Sequence, residues 1–80
     1  MSNQNNIIES MSRIGEKLRI LRNRYGLTSR ELGAELGVSN TYILQIEKGK
    51  RRPSIDVVAE ISRFFEVSAD VLIKDELELE

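Results

Sequence analysis

The sequence predicts an all-α domain of five short helices, and three observations support this prediction. Apolar residues recur every three or four positions, which is the helical period, and we find no strand-like segment. Serine or threonine stands where most of these stretches begin, and glycine stands where several end, as is typical of helix caps. The length of 80 residues allows one small core and therefore a single domain.

The first three helices follow from the apolar spacing and from the residues at their ends. The first ends at Gly26, the second begins at the cap Thr28 and continues up to Gly37, and the third is capped by Ser39 and runs to about Lys48, with Gly49 as its stop. Thr28 stands three residues before a glutamate and so predicts a capping box. The residues expected to face inward are Ile14, Leu18, Leu21 and Tyr25, then Leu32 and Leu36, then Ile43 and Ile46.

Two further helices are predicted after Pro53, with Ser54 and Ser68 as their N-caps. Their inward residues are expected to be Ile55, Val58, Ile61 and Phe65, followed by Val71, Leu72 and Ile73. We therefore expect a polar N-terminal arm over residues 1–12 that frays, one folded domain over 13–74, and an acidic tail over 75–80. Whether the arm extends the first helix backwards is left open by the sequence.

The charges divide sharply along the chain although their sum is only −1. Residues 13–52 hold ten cations and four carboxylates, a net charge of +6, whereas residues 53–80 hold two cations and eight carboxylates, a net charge of −6. Such a division makes one surface attractive to a polyanion. Ordinary solvated helix faces are the alternative explanation of the same charges.

Several classes of function have little support in the composition. The chain has no histidine and no cysteine, and no glycine-rich phosphate loop, so we expect no enzyme activity, no metal site and no cofactor. No apolar run approaches the length of a membrane span, and the first residues lack the pattern of a signal peptide. We expect a soluble, cytoplasmic protein.

The second and third helices form the most specific pattern. They are joined by only three residues, 37–39, so the two helices must cross steeply. Gly33 is small enough to let the helices approach closely, and Gly37 permits the positive φ of the turn. A generic helical hairpin would explain the apolar positions but would not need both of these glycines.

The segment "IGEKLRILRNRYGLTSRELGAELGVSNTYILQIEKGKRRPS" and the trailing "FFEVSADVLI" resemble the helix-turn-helix domain of the lambdoid repressor and Cro type. The resemblance covers roughly residues 13–74. It implies a five-helix, lambda-repressor-like domain whose third helix enters the DNA major groove. The implied function is a sequence-specific transcriptional regulator of double-stranded DNA, a repressor or autoregulator that binds a palindromic operator as a homodimer. The alternatives are the antitoxin of a toxin–antitoxin pair, the controller protein of a restriction-modification system, and a regulator that binds only protein.

If the third helix docks by its N-terminal end, its outward residues are the candidate base readers. Asn and Gln can pair with adenine, Thr can bond a base edge, and Leu can contact a thymine methyl group. The residues expected to read bases are Asn40, Thr41, Leu44 and Gln45. Tyr42 is expected either to reach a phosphate through its hydroxyl or to pack inward.

Cations that follow this helix are expected to contact the DNA backbone and to carry no sequence information. The candidate phosphate contacts are Lys48, Lys50, Arg51 and Arg52, with Ser29 and Arg30 at the start of the second helix. By the resemblance, Arg22 and Glu47 form an ion pair between the first and third helices that is structural.

A symmetric dimer requires a self-complementary surface, and the sequence places it after the fourth helix. Phe64 and Phe65 point about 100° apart on a helix, so both cannot easily enter one small core. Phe64 is therefore a predicted dimer contact. Val71 is a second one, because the resemblance implies a place that is often polar in relatives. The alternative is that Phe64 folds over the edge of its own core. In the antitoxin alternative, the acidic C-terminal segment binds a protein partner.

Overall fold

A computed structural model describes residues 12–80 and shows five α-helices there, without a strand in that range. The helices are α1 (Ile14–Arg24), α2 (Ser29–Leu36), α3 (Asn40–Glu47), α4 (Ile55–Phe65) and α5 (Ala69–Ile73). The predicted all-α fold class is confirmed. The expected fraying of the arm, and the question of whether the arm extends α1 backwards, concern residues 1–11 almost entirely, and these lie outside the described residues.

The predicted N-caps are present. Thr28 and Glu31 form the reciprocal capping box of α2, in which the Thr28 hydroxyl accepts a hydrogen bond from the Glu31 N–H at 3.0 Å. The hydroxyls of Ser39, Ser54 and Ser68 accept hydrogen bonds at the starts of α3, α4 and α5. Each cap satisfies a backbone N–H that the helix itself leaves free, so the sequence alone sets where four of the five helices begin.

One core joins all five helices. Helix α1 packs against α3 and α5, α2 packs against α3 and α4, and α4 packs against α5. Because α3 is held by both α1 and α2, the framework fixes its direction. The buried apolar residues are Ile14, Leu18, Leu21, Leu32, Leu36, Ile43, Ile46, Val57, Val58, Ile61, Phe65 and Leu72.

Two glycines allow close contacts around α3. A Cβ atom on Gly33, within α2, would lie 2.7 Å from the carbonyl oxygen of Val38 in the connection to α3, which explains the small residue at this position. A Cβ on Gly15 would lie 2.1 Å from the carbonyl oxygen of Ile46, so α1 crosses α3 with no room for a side chain. Gly37 adopts a φ of 74°, as the predicted turn requires.

The inward positions of three helices need correction. Ile55 is 75% exposed, and Tyr25 is 52% exposed, although both were expected to face inward. Each stands at the very end of its apolar stripe, where the helix extends past the edge of the core. Val57 is buried in α4 instead, while in α5 only the middle residue of the predicted apolar run is fully buried.

A buried lysine joins α1 to the end of the chain. Lys17 has no exposed surface, and its ammonium donates hydrogen bonds to the carbonyl oxygens of Val71 at 2.7 Å, Lys74 at 2.9 Å and Leu77 at 2.7 Å. All three donors of the ammonium group are therefore used. These carbonyls belong to the last turn of α5 and the segment after it, where the helix dipole favours a cation.

The acidic C-terminal tail lies against α1. The Arg13 guanidinium donates to the carboxylate of Glu78 at 2.9 and 3.1 Å and to the carbonyl oxygen of Asp75 at 2.9 Å. Arg24, near the other end of α1, donates to the carbonyl oxygen of Glu80 at 2.6 Å. Part of the negative charge of the C-terminal segment is therefore paired with α1. None of the five described helices has the length and apolar character that a bilayer span requires.

Candidate nucleic-acid interface

Helix α3 presents a polar face on the side opposite its buried residues. Ile43 and Ile46 are buried against the core, so the residues half a turn away from them face outward. Thr41 is exposed, while Leu44 and Gln45 are half-buried at the edges of the same face. Short polar side chains on an open helix face can reach base edges in a groove that admits a helix.

Asn40, at the start of α3, is held by the start of α2. The Ser29 hydroxyl donates a hydrogen bond to the Oδ1 atom of Asn40, and both residues are half-buried. The predicted phosphate contact and the predicted base reader are therefore neighbours that orient one another. Within residues 12–80, both amide N–H donors of Asn40 are left to bind another group.

Arg22 and Glu47 hold α1 and α3 together. The Nε and Nη2 atoms of Arg22 donate to the two carboxylate oxygens of Glu47 at 2.7 and 3.0 Å, which is the paired geometry of a strong ion pair. Nη1 donates to the carbonyl oxygen of Leu27 at 2.9 Å. The side chains are only 15% and 6% exposed, and the Glu47 carboxylate raises the pKa of Arg22. This pair faces the protein and aligns α3.

Tyr42 is held by contacts with the core and with the start of α4. Its hydroxyl accepts a hydrogen bond from the backbone N–H of Ser54 at 3.1 Å, and its half-buried ring packs against the core. Tyr42 thus ties α3 to the N-terminus of α4. This contact uses the hydroxyl as an acceptor and leaves its proton available.

We call residues 48–52 the basic loop, and this segment follows α3 directly. All four of its cations, and Arg30 on α2, have exposed side chains. The Arg51 guanidinium, however, lies over the Tyr42 ring, 5.0 Å from the ring centroid. The remaining cations of the basic loop are Lys48, Lys50 and Arg52.

Phe64 lies at the edge of the core. Its ring meets Phe65 edge-on, with ring centroids 4.9 Å apart, and its centroid lies 6.2 Å from that of Tyr25. The side chain is half-buried, as is Val71 on α5. Phe64 therefore covers part of its own core and still offers apolar surface to solvent.

Two residues that shape this site were not singled out in the sequence. Gly15 sets the distance between α1 and α3, and Lys17 secures the C-terminal segment to α1. Lys17 stands three residues after Ile14 and four before Leu21, so it falls on the apolar face of α1, and this position was the available signal in the sequence. Among residues 12–80, no cluster of acidic side chains is arranged to hold a metal ion.

Comparisons with known proteins agree with this architecture. The helix-turn-helix family model matches residues 18–72. An HTH-type transcriptional regulator of Methanocaldococcus jannaschii is 41% identical over 54 residues, which cover 68% of this chain and 82% of that protein. HTH-type regulators from two Mycobacterium tuberculosis strains are 43% identical over 58 residues, or 72% of this chain, but the match spans only 41% of their length.

Solved structures share the fold. The P22 c2 repressor, in a crystal structure with a synthetic operator, matches with a TM-score of 0.74 and 30% identity over 79% of this chain and 96% of that one. The restriction-modification controller protein C.AhdI from Aeromonas hydrophila matches with a TM-score of 0.69 over 78% of this chain and 94% of that one, at 24% identity. The family match covers well over half of the sequence, and the chain therefore belongs to the helix-turn-helix family of DNA-binding regulators of the lambdoid repressor and Cro type.

Proposed function

We propose that the protein is a sequence-specific regulator of transcription that places α3 in the major groove of double-stranded DNA. The observation that carries this proposal is the polar outward face of α3, which lies within a segment of net charge +6 and is followed at once by the basic loop. Similarity to the P22 c2 repressor supports repression as the sign of regulation.

The proposed contacts divide into two groups. Asn40, Thr41, Leu44 and Gln45 read base edges, whereas the cations beside them contact phosphates. The proposed phosphate contacts are Ser29, Arg30, Lys48, Lys50 and Arg52. The Ser29 hydroxyl donates its one proton to Asn40 and so orients a base-reading residue. Ser29 is therefore proposed to contact the phosphate through its backbone N–H at the start of α2.

Selection of binding sites from random duplex DNA tests the function directly. The expected result is one enriched sequence with two inverted half-sites. Enrichment of no sequence after repeated rounds would overturn the proposed function. The selected duplex then serves as a defined probe for variants.

Gln45→Ala tests base reading. We expect specific binding to weaken by about 1–3 kcal/mol with non-specific binding nearly unchanged, because a good base contact discriminates on this scale. The measurement is a titration of the selected duplex and of a scrambled duplex. Equal losses on both duplexes would contradict the assignment.

Lys50→Ala combined with Arg52→Ala tests the phosphate contacts. Binding should weaken on every sequence, and the slope of log affinity against log salt should become shallower by about 0.9 for each lost contact. A salt slope that stays the same would show that neither cation meets the DNA backbone.

We also propose that the protein binds a palindromic operator as a homodimer, since one recognition helix reads too few base pairs for selectivity. The proposed interface contains Phe64 and Val71, whose half-buried side chains lie at the α4–α5 side of the core. Phe64→Glu should give a folded monomer with much weaker operator affinity. A wild-type protein that sediments as a monomer, both alone at high concentration and on the operator, would refute the dimer.

The antitoxin alternative would use the acidic C-terminal segment to bind a basic protein. In the structure Glu78 is paired with Arg13, so a partner would have to compete with that intramolecular contact. This observation favours DNA regulation over the antitoxin function.

A further inference from the structure

Arg51 belongs to the basic loop, but its side chain turns back onto α3. The Cζ atom of its guanidinium lies 5.0 Å from the centroid of the Tyr42 ring, and Nη1 lies 3.5 Å from the Oε1 atom of Gln45. Tyr42 and Gln45 are three residues apart and so adjacent on the helix surface. Arg51 therefore bridges two side chains of the helix that is proposed to read DNA.

The Tyr42 ring, on which Arg51 lies, is held in place by two contacts. The Tyr42 hydroxyl is bonded to the backbone of Ser54, and the Tyr42 ring packs against the core. A planar guanidinium can stack on such a ring and donate hydrogen bonds from its edge at the same time. An ammonium group has the charge but lacks the planar shape.

The 3.5 Å contact with Gln45 is long for a hydrogen bond, and in it the carbonyl end of the amide faces the basic loop. A guanidinium has only donors, so its partner on Gln45 must be the carbonyl oxygen Oε1. The Nε2 group, with its two N–H donors, is then left for DNA. In the major groove every purine offers N7 as an acceptor and guanine adds O6, whereas cytosine offers an N4 donor. The arrangement favours a base edge that presents acceptors.

We propose that Arg51 is a positioning residue that sets the base preference of Gln45, rather than a phosphate contact that adds affinity to every sequence. This inference rests on the proposed DNA-binding function. It separates Arg51 from its exposed neighbour Arg52, which keeps the phosphate role and supplies a matched control.

The test uses the duplex that the wild-type protein selects from a random library, and a scrambled duplex of the same composition. Arg51→Lys keeps the positive charge but removes the stacked, forked group. We expect it to lower affinity for the selected duplex about tenfold, the scale of one base contact, with affinity for the scrambled duplex unchanged. Arg52→Lys is the matched comparison: because Arg52 is proposed to contact a phosphate, any change in affinity that it causes should be equal on the two duplexes.

Two further measurements separate positioning from direct contact. The loss from Arg51→Lys should disappear in a Gln45→Ala background, because both changes act on one base contact. Discrimination among the four base pairs should relax at the same operator position in both single variants.

Three results would overturn the inference: wild-type affinity of Arg51→Lys for both duplexes, an equal loss on both duplexes, or additive losses in the double variant. A wild-type protein that does not distinguish the selected duplex from the scrambled one would instead overturn the proposed function itself. The wild-type titration therefore comes first and identifies which of the two has failed.

Discussion

Replacing Lys17 by methionine should destabilise the fold strongly. Methionine has a similar length but no hydrogen-bond donor. The carbonyl oxygens that accept hydrogen bonds from the Lys17 ammonium therefore lose that donor. The Lys74 oxygen also accepts a hydrogen bond from the Leu77 N–H at 3.1 Å, whereas in the described part of the chain Lys17 is the donor for the oxygens of Val71 and Leu77. Two carbonyls are thus left unsatisfied.

The magnitude follows from those two carbonyls. A buried acceptor without a donor costs about 1–3 kcal/mol, so two cost about 2–6 kcal/mol. Methionine also avoids the desolvation of an ammonium ion, which offsets part of this loss. We expect the free energy of unfolding to fall by about 3 kcal/mol, a large fraction of the roughly 4–12 kcal/mol typical of a domain of this size.

Urea unfolding followed by far-ultraviolet circular dichroism measures this change. A loss of 3 kcal/mol should lower the thermal midpoint by about 12–24 °C in a domain of this length. The matched control is Arg19→Met, because Arg19 is an exposed cation on the same helix and its loss should change stability by less than about 0.5 kcal/mol. Equal stability of the Lys17→Met variant and the wild type would refute the reasoning, since the carbonyls would then have found other partners.

Three further predictions concern the framework around α3 and the C-terminal tail. Glu47→Ala should lower the free energy of unfolding by about 3–5 kcal/mol, because Arg22 would stay largely buried without its carboxylate partner. In an Arg22→Met background the additional loss from Glu47→Ala should be much smaller, and full additivity of the two losses would contradict the pairing. Gly15→Ala should destabilise the fold by about 1–3 kcal/mol although alanine normally favours helices, because the new methyl group would press against the carbonyl oxygen of Ile46. A higher urea midpoint in this variant would show that α1 and α3 can move apart freely. The Arg13 guanidinium, at the N-cap of α1, lowers the pKa of Glu78 through a hydrogen bond and charge attraction. This carboxylate therefore stabilises the fold above its unfolded pKa, and that contribution is lost as pH falls through the folded pKa. The stability difference between wild type and Glu78→Gln should shrink from neutral to acidic pH, and a difference independent of pH would contradict the pairing.

The starts of the helices and most of the core could be predicted because they depend on local chemistry. A hydroxyl at Thr28 or Ser39 satisfies backbone donors within the next turn, so the cap requires no distant partner. The apolar spacing likewise identifies which side of a helix is buried, but it does not tell where the core ends. Ile55 fits the α4 stripe and is nevertheless exposed, since it stands beyond the last layer of packing.

By itself, the sequence determined the five helices, the tight connection of α2 to α3, the polar face of α3 and the cations that follow it. These features depend on residue type and on short spacing along the chain. Only the tertiary structure decided that Lys17 is buried and that Arg51 lies on Tyr42. The partners of Lys17 are backbone carbonyls 54–60 positions away, which any sequence would supply, so no residue pattern marks them. Arg51 lies on the Tyr42 ring, and that ring is held by the bond from the Ser54 backbone to its hydroxyl, a contact that exists only after the chain has folded.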